Sequence, residues 1–137
     1  MVLRLLPSPE QVAVAHLKGH ASITALVGTR VATQLPAEAT FPFLTVSLVT
    51  GEEKVADHLD EAILQLDAWG ADKAGADLLI RTARAVMRAA PDVAHTRAVV
   101  NDVRTVSVPR WSPDTAVNPP RPRYTADVGI TLHPHPL

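Results

Sequence analysis

Ala62-Ile63-Leu64-Gln65-Leu66-Asp67-Ala68-Trp69-Gly70, followed by Asp72 through Ala90, is the stretch that decides the fold. In its first half Ala62, Leu64, Leu66 and Ala68 alternate with Ile63, Gln65, Asp67 and Trp69. A period of two is the signature of a strand. In its second half the period changes. Leu79, Thr82, Ala83, Val86 and Ala90 recur at helical spacing, and Asp77, Arg81, Arg84 and Arg88 recur on the opposite side. Asp72 opens that helix and Pro91 closes it. A strand running directly into a long amphipathic helix predicts a helix laid against a sheet.

Working outward, Phe41 to Val49 reads as the preceding strand, with Leu44, Val46 and Leu48 on one face and Thr45 and Ser47 on the other. Pro42 puts its start at an edge or outside the ladder. Thr50 to Asp60 is polar and reads as the connection of an antiparallel hairpin, longer than a tight turn requires. Arg30 to Leu35 reads as a short strand before Pro36. Upstream, Ser8-Pro9-Glu10-Gln11 is a helix start, with Ser8 as cap and Pro9 in the first turn. Val12, Ala15 and Leu17 are expected inside. Ser22 is expected to cap a second, short helix that stops at Gly28. Met1 to Leu6 is too short for a secretory leader and reads as a docking segment.

Downstream, Thr96 to Val108 changes phase at Asn101-Asp102, which predicts a bulge or a break between two strands. Tyr124, Ala126, Val128, Ile130 and Leu132 form the cleanest alternation in the chain. Between these strands lies a proline-rich stretch at about 109–123, expected to be a flexible loop. Its prolines lower the cost of ordering it against a partner. The expected fold is α+β: a mostly antiparallel sheet of four to five strands, with one long and one or two shorter helices on one face. Residues 1–137 are expected to form a single domain.

Composition narrows the function. With 137 residues, 47% of them apolar, the chain has enough material for its own core. The net charge is −1, which argues against a nucleic-acid binder acting through overall charge. The charge is uneven. Residues 1–68 hold four Lys/Arg against eight Asp/Glu, and residues 69–137 hold nine against six. Such polarity suits head-to-tail association of copies. There are no cysteines, which removes disulfides and thiol chemistry. No apolar run approaches a membrane span.

Motifs for catalysis are missing: there is no phosphate loop, nucleophile elbow or zinc-protease helix. His16 and His20 stand four apart on the first helix but lack a third ligand, so they read as surface histidines. His133-Pro134-His135-Pro136 reads as a frayed tail. Glu52, Glu53, Asp57, Asp60 and Glu61 match no calcium-loop spacing and read as a hydrated hairpin tip. A pocket joining His16 and His20 to that hairpin would favour a small ligand-binding domain or enzyme. Trp111 either anchors a partner or folds back on its own sheet, and Trp69 reads as a residue at the rim of the core.

Four stretches together carry a resemblance. They are the helix–glycine–strand step Ile23 to Val31, Leu35-Pro36 with Phe41-Pro42-Phe43-Leu44-Thr45-Val46, Leu64 to Gly70 running into the helix from Asp72, and the closing strand Tyr124 to Leu132. In this order the chain resembles the tail terminator, or tail-completion, proteins of long-tailed bacteriophages. The long 109–123 stretch and the short apolar N-terminus depart from the family pattern.

The resemblance implies a structural, non-enzymatic virion protein without cofactor or metal. It implies a ring, six copies in the family's usual form, on the head-proximal end of the tail tube. Such a ring stops tube polymerisation and meets the head connector, and DNA crosses its lumen without specific binding. The expected partners are further copies of the chain, the tube protein and a connector or neck protein, with assembly in the host cytoplasm and no membrane. The candidate subunit or partner interface is Asp77, Arg81, Arg84 and Arg88 with Arg110 and Trp111. Glu52, Glu53, Lys54 and Asp57 are the candidate lumen- or tube-facing hairpin. The alternative in the same class is another phage neck or head-completion connector.

Overall fold

A computed structural model describes residues 5–135. Three helices, α1 (Pro9–Lys18), α2 (Ala21–Val27) and α3 (Lys73–Arg88), and five strands, β1 (Val31–Ala32), β2 (Phe43–Val55), β3 (Leu59–Trp69), β4 (Val99–Trp111) and β5 (Arg123–His133), follow in the order α1-α2-β1-β2-β3-α3-β4-β5. The sheet order is β1-β2-β3-β5-β4. Every pairing is antiparallel except β1 on β2. The fold is therefore α+β, as the alternations at 62–69 and 124–132 predicted.

The core lies between the helices and one face of the sheet. Leu44, Val46, Leu64, Leu66, Val128, Ile130 and Leu132 meet Leu17, Ile23, Leu79, Ile80 and Met87 there, all essentially without solvent exposure. Burying each such side chain contributes about 1.5–3 kcal/mol. The helix α3 starts because the Asp72 carboxylate accepts the Gly75 N–H at 2.7 Å. Its buried stripe is Ala76, Leu79, Ile80, Ala83, Val86 and Met87. Thr82 does not join it: it is half-buried and its hydroxyl donates back to the Leu78 carbonyl at 2.8 Å. After Arg88 the chain tightens into a 3-10 turn at Ala90–Asp92, with Pro91 inside it. Gly70 joins β3 to α3 at close quarters. A Cβ there would lie 2.6 Å from the Ala76 nitrogen and 2.8 Å from the Asp72 carbonyl oxygen.

Several boundaries differ from the sequence reading, each for a physical reason. The strand within 30–35 is only Val31–Ala32, and Val31 is the residue that reaches the core. The strand β2 starts at Phe43, after a cis Phe41–Pro42 bond, and continues through the polar residues to Val55. The turn is only 56–58, with Asp57 at φ 54° and the His58 N–H on the Val55 carbonyl at 3.0 Å. Past Leu48 the helical layer no longer covers β2, so polar residues extend the ribbon and Leu48 itself is exposed. Pro109 and Trp111 belong to β4, so the connection to β5 is 112–122, pinned by a bridge between Asp114 and Arg121. In α1 Ala13 replaces Ala15 inside. His20, not Ser22, caps α2, its Nδ1 accepting the Ser22 N–H at 3.2 Å. The expected bulge at Asn101 is present, between Val100 and Asp102. Met1 to Arg4 lie outside the described residues, so the reading of the N-terminal segment concerns Leu5 and Leu6 alone here.

Candidate functional site

The face of the sheet opposite the helices carries polar residues. Thr45, Asp67 and Thr125 are buried on it, and Gln65 and Asp127 are half-buried. Thr125 donates to Asp67 Oδ1 at 2.6 Å and Gln65 Nε2 reaches both Asp67 oxygens at 3.1–3.2 Å. The Trp69 indole N–H donates to Thr45 at 3.2 Å, which explains why a tryptophan is buried here. Gly129 leaves room for Arg104 to lie across the sheet and reach Glu61 at 3.0 Å. Asp127 Oδ2 accepts from Arg110 at 3.4 Å, while its Oδ1 is buried with no hydrogen-bond partner among the described residues.

The predicted interface residues divide between α3 and the end of β4, and Arg110 bonds Asp127 on the face of the sheet opposite the helices. Asp77, Arg81, Arg84 and Arg88 lie along α3, with Arg81 bonded to Asp77 at 3.0 Å. Arg84 donates to Thr105 of β4 at 3.2 Å, which ties this helix face to the last strand of the sheet. Arg110 and Trp111 end that strand. Trp111 meets both descriptions: its ring packs on Tyr124 at 5.2 Å and takes Lys73 at 4.9 Å, yet it stays 40% exposed. Nearby, Arg121 lies over Phe41 at 4.6 Å and Arg123 over Trp69 at 4.8 Å. Sequence spacing gave no signal for this arginine–aromatic group, because its members come from three distant segments.

Glu52, Glu53 and Lys54 are on β2 and Asp57 is in the turn. Lys54 pairs with Glu52, and that hydrogen bond and charge hold its pKa above the ordinary lysine value. Glu53 accepts the Asp57 N–H at 3.0 Å, which shapes the turn. Among the described residues no group of three or more His, Cys, Asp or Glu is arranged to hold a metal ion.

A groove of about 600 Å³ runs between α1 and residues 93–97 and brings His16, His20 and His95 together. The acidic hairpin does not line it. His16 donates to the Val86 carbonyl and His95 to the Ala90 carbonyl, both at 2.7 Å. Burial pushes the His16 pKa below the ordinary histidine value, against the raising effect of that carbonyl and with a further push from His95 and His20. These imidazoles therefore serve as internal ties between α1, α3 and the turn that follows. The C-terminal histidines are docked too. His133 pairs with Asn101 at 2.6 Å and His135 with the His95 carbonyl at 2.6 Å, while Pro136 lies outside the described residues.

No curated protein matches the chain. A chain from the virion of a native gene transfer agent particle matches in fold, with a TM-score of 0.62 at 15% identity, over 92% of this chain and 95% of that one. The family model described as tail completion protein gp17 matches residues 12–118. That span runs from the first core residue of α1 to the connection before β5, and it contains both charged sides of the sheet. The chain belongs to the tail completion protein gp17 family, and with it to the structural proteins of the phage tail.

Proposed function

We propose that copies of this chain form a closed ring, six in number, that caps the head-proximal end of the tail tube. The ring stops tube polymerisation and offers its outer surface to the head connector. The observation that carries this reading is the two-sidedness of the sheet. Glu52 and Glu53 lie on β2, second in the strand order after the two-residue β1, and Arg84 ties the arginine face of α3 to β4, the last strand on the other margin. A surface that complements another part of the same molecule joins copies head to tail, and such joints close when the rotation between copies divides a full turn. The ring acts by contact and transforms no molecule. Residues 1–137 act as one domain, and the connection at 112–122 meets a partner.

The Glu52, Glu53, Lys54 and Asp57 hairpin faces the lumen or the tube. Carboxylates there repel DNA phosphates, so the genome slides through without being held. Reversing Glu52 and Glu53 to lysine slows DNA passage or spoils assembly, and full infectivity from that variant contradicts the placement. The cap itself is tested by adding the purified protein to polymerising tube subunits. Growth stops and the mass rises by one ring per tube. Tubes that lengthen unchanged overturn the reading.

A further inference from the structure

The sheet has two free margins, and they match. On one side β4 is the last strand. On the other, β1 covers β2 only at Leu44 and Thr45, and the Glu10 carboxylate takes the Leu48 N–H at 2.8 Å. Beyond Leu48 the outer edge of β2 is open as far as Val55. Ten large apolar residues are exposed among the described residues. Six of them sit on these two strands: Leu48, Val49 and Val55 on β2, and Val106, Val108 and Trp111 on β4. Scattered exposed apolar residues are normal, but such concentration on two open margins marks contact surfaces.

Direction and charge select the partner. The chain of antiparallel pairings from β2 through β3 and β5 to β4 makes β2 and β4 run in opposite senses. A second copy set beside the first in the same orientation therefore brings its β2 antiparallel to the first copy's β4. The β2 margin carries Glu53, which makes no ion pair among the described residues. The β4 margin is flanked by Arg84 and Arg88, which also lack a carboxylate partner among the described residues. Joining β2 to β2, or β4 to β4, sets like charges together and is disfavoured.

We infer that the joint between neighbouring copies is this edge-to-edge contact, β2 of one copy on β4 of the next, continuing the sheet from subunit to subunit. The inference rests on the ring reading and specifies its interface. Pro109 and the register shifts in β4 confine the backbone pairing to a short stretch before Pro109. The apolar side chains and the Glu53–arginine contacts supply the rest, so Glu53 lies in the joint and Glu52, Lys54 and Asp57 are the hairpin residues left to face the lumen or the tube. The same irregularities keep the margin from pairing indiscriminately with other strands.

The test uses the absence of native cysteine. Val49→Cys and Val106→Cys are introduced singly and together in the full chain. Each is treated with a short bis-maleimide, free in solution and in assembled tails. The double variant gives a cross-linked ladder that ends at the ring size, and each single variant stays monomeric. Adding Glu52→Lys and Glu53→Lys lowers the ladder yield about tenfold. A multi-copy ring by native mass without any ladder overturns the edge joint and leaves the ring reading standing. Strong dimers from a single variant show a symmetric contact and also overturn the joint. Monomers by mass, both free and from dissolved tails, with no ladder, overturn joint and ring together.

Discussion

The centre and the margins of the same sheet are built differently. Strands β3 and β5 pair without a single shift in register over ten residues, from Asp60–Leu132 to Trp69–Arg123. Their helix-side residues are buried. Strands β2 and β4 both carry register shifts and expose apolar side chains. Irregular ladders leave hydrogen-bonding groups without regular partners, and exposed valines gain nothing for the isolated chain. The centre thus serves folding, and the margins are the surfaces proposed for contact with other copies.

That division is broken most directly by truncation at the centre. Leu66→Ala should cost about 2–5 kcal/mol, because the fully buried site is closed on both sides by paired strands. Denaturant titration measures it, and a loss below about 1 kcal/mol would mean that the centre is loosely packed. Gly70→Ala should cost about 1–3 kcal/mol, since the new methyl meets backbone atoms of the α3 start that cannot step aside. Thr125→Val should cost about 1–3 kcal/mol by removing the hydroxyl that donates to the buried Asp67.

The next effect is a pH dependence. The folded pKa of His16 is depressed, so the unfolded chain takes up the proton first as pH falls. The contribution of His16 is complete above the ordinary histidine value of about 6.5 and is lost as pH drops below it. Thermal melts across that range should show stability falling with acid, and His16→Gln should flatten the slope. A slope unchanged in that variant would assign the effect to another group. At the margin, Val108→Ser should change stability by no more than about 0.5 kcal/mol while reducing self-association. If it destabilises the isolated chain as Leu66→Ala does, the distinction between centre and margin fails.

The same division governs how much was legible in the sequence. Alternation at 62–69 and 124–132 and helical spacing from Asp72 announced the central strands and α3, because one-sided burial imposes a period on residue type. The margins carry no such imprint. With water on both sides, the strand at 50–55 is as polar as a loop, and it read as one. Pro109 and Trp111 read as a connection for the same reason, although both belong to β4. Of the candidate contact residues, the α3 arginines followed from spacing. Their attachment to β4 through Arg84 and Thr105 did not, since it joins residues 21 positions apart across two elements. His20 caps α2 in place of the expected Ser22, and an imidazole acceptor at a helix start is rarer than a serine.

We propose that this chain works as a ring at one end of a tail. Electron microscopy of purified tails carrying a label on this chain tests it. A ring-forming cap gives a single ring of label at the head-proximal end and none along the tube. Label spread along the tube, confined to the distal tip, or absent from the particles would contradict it.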